Sequence, residues 1–170
     1  MYFATKDADR TAALRLFSAE KGLPDAITMT LNVEHLQRTA DTLEQALLQL
    51  QRTEKNTVMY DLFRNAAIKS FELSLETAGK LLRKAIKAFG ASPRSVDALV
   101  FNDVFRHAAK HGLLSLDETE RWLLYRANRN NTAHDYGEGF ANETLKLLPA
   151  YLIDVRQLAI KLQDAFNAAS

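Results

Sequence analysis

Between Asn56 and Phe89 the apolar residues Leu62, Ala66, Phe71, Leu75, Ala78, Leu82, Ile86 and Phe89 return at helical spacing with no proline among them, and Gly90 closes the run. A helix of that length carries an apolar stripe that another element must cover. The stretch upstream supplies one. Asn32 is suited to cap a helix reaching about Arg52, in which Leu36, Ala40, Leu43, Leu47 and Leu50 share a face. Downstream, Ser92 and Pro93 form an N-cap and first-turn pair, the run from Ala98 to Phe101 reads as irregular, and a short helix from Asp103 to Lys110 stops at Gly112. Ser115 and Glu118 have capping-box spacing and open a helix through Trp122, Leu123 and Tyr125 toward Asn130. After Gly137 and Gly139 a last helix runs from about Phe140 to Phe166, and Pro149 either bends it or marks a restart. No segment alternates with period two. The expectation is an all-α fold, an up-and-down bundle of four to five helices.

The chain has 170 residues, which suits one domain. Residues 31–168 are expected to form it. Residues 1–30 read as a leader with one short amphipathic helix over 7–21 (Ala13, Leu14, Phe17), closed by Gly22 and Pro24. With no cysteine, disulfides, thiolate nucleophiles and Cys-based metal sites are excluded, which fits a reducing compartment. Lys6, Asp7 and Asp9 stand where a signal peptide needs an apolar segment, and no window approaches the apolar length of a membrane span. The expectation is a cytoplasmic protein with no membrane contact.

The net charge of +1 hides two basic stretches. Lys80, Arg83, Lys84, Lys87 and Arg94 follow one another without a carboxylate, and so do Arg121, Arg126 and Arg129. The first reads as a solvated face more readily than as an RNA groove. The second runs into the densest polar cluster of the chain: Arg126, Asn128, Arg129, Asn130, Asn131, Thr132, His134, Asp135 and Tyr136. Two guanidiniums, an imidazole, amides and a phenol offer phosphate clamping, proton transfer and hydrogen bonding, without the spacing of a metal site. On a regular helix Arg126, Asn130 and His134 share a stripe, while Arg129 and His134 stand about 140° apart. Fraying near Asn131 would let Arg129 converge on His134.

The spacing Arg129-x4-His134-x-Tyr136 resembles the R-x4-H-x-Y motif of HEPN-superfamily toxins, the helical partners of minimal nucleotidyltransferases, also called nucleotidyltransferase substrate-binding proteins. Spacing alone is not distinctive, since Arg106-x4-His111 also fits. Only the first has Asn directly after Arg and Tyr two past His. A second block, Phe71-Glu72-Leu73-Ser74-Leu75-Glu76-Thr77-Ala78-Gly79-Lys80-Leu81-Leu82, is similar to the family's F-E-x-T-x-E-x-A-W-K-x-L helix. A third, Phe105 to Leu114, resembles its short helix ending in a G-L-I turn. Gly79 stands where the family has Trp, which leaves either a void or room for close helix approach.

The resemblance implies a HEPN-like domain forming a two-fold homodimer, with two motif segments at a shared cleft. It implies a metal-independent endoribonuclease needing no cofactor, acting on RNA. His134, Arg129 and Asn130 would be its catalytic residues, with Arg126 and Glu72 supporting the cleft. It also implies a minimal nucleotidyltransferase antitoxin as partner, which transfers AMP to Tyr136. The alternative it leaves open is a non-catalytic subunit that binds nucleotide or docks the nucleotidyltransferase.

Overall fold

The computed structural model describes residues 31–132 and 138–167, and among these it contains six helices and no strand. They are α1 (Glu34–Arg52), α2 (Val58–Ala88), α3 (Pro93–Asp97), α4 (Phe101–Lys110), α5 (Leu116–Thr132) and α6 (Glu138–Asn167). The short helix expected over 7–21 lies outside the described residues. Helix α2 is the axis, since α1, α3, α4, α5 and α6 all pack on it. The bundle is all-α as the periodicity requires, with the five-residue α3 occupying the segment before α4.

The helix ends follow their local chemistry. The Asn32 side chain accepts the Glu34 N–H at 2.8 Å, so it satisfies a first-turn donor although Val33 occupies the cap position itself. Thr57 caps α2 by accepting the Tyr60 N–H at 3.1 Å, after Asn56 has turned the chain with a φ of 64°. The capping box of α5 is reciprocal: Ser115 Oγ accepts the Glu118 N–H at 3.1 Å, and Glu118 Oε2 accepts the Ser115 N–H at 2.7 Å. Burial opposes charge on Glu118, but the bond from Lys161 on α6 and that from Ser115 hold its carboxyl below the usual range. Gly90 and Gly112 end α2 and α4 with φ of 86° and 77°. Helix α6 runs unbroken through Pro149, so there is no restart. The ring sits on an exposed face, where the missing N–H is easiest to tolerate.

The stripe of α1 is buried at Leu36, Ala40 and Leu43. That of α2 differs from the sequence expectation at its start. Leu62 is exposed and Ala66 only partly covered, whereas Ala67 is fully buried. Ala66 stands five residues before Phe71, about 140° round the helix, and Ala67 four, about 40°. From Phe71 onward Leu75, Ala78, Leu82 and Ile86 are buried as expected.

Where α2, α5 and α6 meet, an aromatic knot fills the core. Tyr151 stands edge-on to Phe71, Trp122 and Tyr125 with ring centroids 4.8, 5.6 and 5.0 Å away, and Phe105 lies 5.1 Å from Trp122. Its polar atoms are satisfied: the Tyr151 hydroxyl and Ser74 Oγ share a 2.7 Å hydrogen bond. Tyr125 donates to Asp154 Oδ2 at 2.7 Å. Arg121 donates to the same carboxylate twice, from Nε and Nη2, each at 2.8 Å. The Asp154 side chain is 4% exposed and that of Arg121 is 42% exposed. Removing either partner is therefore asymmetric. Arg121→Ala leaves a buried carboxylate with a single phenol donor and is expected to lower unfolding free energy by about 3 kcal/mol. Asp154→Asn leaves an arginine that can turn to water and is expected to cost about 1–2 kcal/mol. Urea denaturation followed by circular dichroism measures both, and the reverse order would show that the carboxylate does not depend on Arg121.

Candidate functional site

Helix α5 places its side chains by its bond to α6. With Trp122 and Tyr125 turned inward, Arg129, four residues beyond Tyr125, lies on the same inward stripe where it emerges at the end of the helix, and it is partly buried. Arg126 points about 100° away, toward α4. Its guanidinium carbon sits 4.5 Å from the centre of the Phe101 ring. Asn130 is exposed on the outer side of α5. Asn128 accepts a 3.0 Å hydrogen bond from Thr144, which is fully buried on α6.

Burial and then the charge of Arg129 lower the Arg126 pKa, and Glu76 acts against them. The positive charge of Arg129 is thus felt at Arg126, on a partly desolvated stretch of α5. The α5 helix continues to Thr132, one residue past the point where fraying was expected. His134 and Tyr136 lie outside the described residues, so their approach to Arg129 is not described.

Glu72 is partly buried on α2 and pairs with Lys69 at 3.7 Å. The α2 carboxylate whose charge reaches Arg126 is Glu76, one turn further, which also pairs with Lys80 at 3.5 Å. The shelf under Arg126 was not read from the sequence. A Cβ on Gly79 would fall 2.9 Å from Phe101 Cε2 and 3.2 Å from Cδ2. Of the two alternatives at Gly79, close approach is the one found: the edge of the Phe101 ring occupies the space a side chain would take. A mid-helix glycine facing a lone phenylalanine at a helix start was the available signal.

The first basic stretch is largely engaged within the fold. Arg83 donates to the carbonyls of Val96 and Leu99 at 2.7 and 2.5 Å, Lys87 pairs with Asp97 at 2.6 Å, and Lys80 with Glu76. Lys84 and Arg94 are exposed. The decoy pair is held separately: Arg106 bonds Asp103 at 2.9 Å, and His111 stacks on Phe89 with centroids 4.9 Å apart. Burial, then His107 and Lys110, lower the His111 pKa. Among the described residues no three His, Asp or Glu side chains gather as a metal site, and no helix is long and apolar enough to cross a membrane.

A solved Haemophilus influenzae structure, described as revealing the fold of a substrate binding domain of a nucleotidyltransferase, superposes with a TM-score of 0.67 at 24% identity. The match covers 78% of this chain and 99% of that one. The Haemophilus influenzae protein named Probable ribonuclease HepT is 25% identical over 144 residues, 81% of this chain and 96% of its own length. The family model described as nucleotidyltransferase substrate binding protein like matches residues 31–164, and the chain belongs to that family.

Proposed function

We propose that this protein is the toxin of a HEPN toxin and minimal nucleotidyltransferase antitoxin pair, a metal-independent endoribonuclease of the cytoplasm built on residues 31–168. The observation that carries the reading is Arg126, held on the Phe101 ring near the end of α5, with Arg129 less than one turn on and His134 following in the chain. The similarity to a protein named as a probable ribonuclease supports it. Neighbouring cations favour a phosphodiester, whose charge grows as the ribose 2′-oxygen attacks phosphorus. In this reading His134 takes the 2′-hydroxyl proton, and Arg129 both holds the imidazole neutral and stabilises the phosphorane. Asn130 orients the phosphate. The P–O5′ bond breaks, the 5′-oxygen leaves with a proton, and a 2′,3′-cyclic phosphate remains. Arg126 and Glu72 support the cleft.

Single-turnover cleavage of a labelled RNA tests this. Arg129→Ala and His134→Ala are each expected to lower the rate by at least about 10²-fold with the fold retained, the usual size of a lost general base or oxyanion partner. Arg106→Ala and His111→Ala, which carry the same spacing, should cleave at the wild-type rate, and EDTA should have no effect. Equal loss from the control pair removes the site assignment, and inhibition by EDTA removes the metal-free mechanism.

The cleft is shared in this reading, because two copies related by a two-fold axis bring two motif segments to one substrate. Light scattering at micromolar concentration should give the mass of two chains. A persistent monomer removes the shared cleft.

The partner of this reading is a minimal nucleotidyltransferase, in keeping with the relative described as a substrate binding domain of such an enzyme. It transfers AMP from ATP to the Tyr136 hydroxyl, releasing pyrophosphate and adding negative charge near Arg129. The buried alternatives are poor acceptors: burial, with the Asp154 bond, pushes the Tyr125 phenol up, and burial does the same to Tyr151. With the cognate enzyme, Mg²⁺ and ATP, mass spectrometry should find AMP on the Tyr136 peptide and none in Tyr136→Phe. Robust binding of the nucleotidyltransferase with no modification and no cleavage would favour the non-catalytic substrate-binding subunit.

A further inference from the structure

Arg83 and Gly79 are four residues apart and share a face of α2. Arg83 holds the Val96 and Leu99 carbonyls, which ties the chain between α3 and α4 down along α2. The next turn begins at Phe101, and its ring comes to rest on the α2 backbone at the one position with no side chain, Gly79. Phe105, one turn further along α4, stacks on the ring with centroids 4.5 Å apart and an interplanar angle of 28°. The ring is thus fixed by an edge contact and a face contact. Above it the Arg126 guanidinium is 4.5 Å from the ring centre.

This arrangement suits a task that a core phenylalanine does not have. A free arginine side chain samples many rotamers, and a neighbouring like charge at Arg129 drives it outward into water. A flat ring attracts the guanidinium through its π-face while leaving the N–H edges free to bond an anion. We propose that Phe101, seated in the gap left by Gly79, is a positioning residue that holds the Arg126 guanidinium as a seat for an RNA phosphodiester. The choice of RNA as ligand rests on the nuclease reading above; the positioning itself rests on the stack.

Two measurements on the full chain decide it. In the ligand-free protein the Arg126 Nε–H resonance should carry an upfield ring-current shift. That shift should disappear in Phe101→Leu, persist in Phe101→Tyr, and move in Gly79→Ala, where the new Cβ displaces the ring without altering Phe101 or Arg126. Fluorescence anisotropy with a labelled single-stranded RNA gives the second. Phe101→Leu and Gly79→Ala should weaken binding about three- to fivefold, the range of a partly exposed cation–π contact. Both should flatten the plot of log affinity against log salt toward that of Arg126→Ala, by about 0.7 for the one lost phosphate contact. Phe101→Tyr should retain wild-type affinity, and Phe101→Leu combined with Arg126→Ala should be no weaker than Arg126→Ala alone. If Arg126→Ala weakens binding while Phe101→Leu does not, or if the two losses add, the positioning role is overturned and the nuclease reading stands. If the wild-type protein does not bind RNA, the nuclease reading and the phosphodiester seat fall together.

Discussion

The Asp154 carboxylate, buried between α5 and α6, sets the rotation of one helix against the other. A carboxylate removed from water costs several kcal/mol unless strong donors replace the solvent. Here three do, two from the Arg121 fork and one from Tyr125, all within 2.8 Å. Such a set of bonds tolerates no slip: advancing α5 by one residue turns it about 100° and carries both donors away from Asp154. Every other side chain on α5 is fixed as a consequence. Trp122 falls into the core, Arg129 emerges at the end of the inward stripe, and Arg126 is turned to α4. The structural arginine of the second basic stretch thereby aims the two that the proposed function uses.

A second constraint comes from α2. Because every other described helix packs on it, a change of side-chain volume at one of its positions is transmitted to whichever helix covers that position. At Gly79 the volume is zero, and Phe101 enters. A helix-interior glycine disfavours the helix by about 1 kcal/mol relative to alanine. The ring stack it admits, running from Phe101 through Phe105 to Trp122, links α4 to α5 and offsets that loss. Gly79 thus leaves an aromatic surface on this face of α2, supplied from α4.

Much of the bundle could be read from local signals because they act within one turn. The Ser115–Glu118 box, the Gly90 and Gly112 stops and the apolar stripe from Phe71 to Ile86 each depend on spacings of three or four residues. The start of the α2 stripe was misphased because Leu62 is exposed and Ala66 only partly covered among the described residues, and apolar character alone does not say which face is covered. Asp154 was invisible for the converse reason. A polar residue in a helix reads as solvent-facing, and only the partner helix, brought in from over thirty positions away, turns it inward. The same applies to Phe101, which read as part of an irregular segment until Arg83 and Gly79 gave it a seat. At the candidate site, the sequence grouped Arg126, Arg129 and Asn130, while the ring beneath Arg126 and the charge of Glu76 came only with the tertiary packing.

Two guanidiniums held near one another work against folding, because their repulsion grows as water is removed from between them. The bundle engages Arg121 with Asp154 through two hydrogen bonds, and gives Arg126 an uncharged shelf while the charge of Glu76 acts on it. A neutral ring is a consequential choice of support. It attracts the cation without cancelling its charge, which in the proposed function lets Arg126 meet an incoming anion. A carboxylate in the same place would stabilise the folded chain more and bind phosphate less. The difference between the Arg121 and Arg126 environments, five residues apart on one helix, is the difference between an arginine neutralised by a buried carboxylate and one held by a ring that leaves its charge uncancelled.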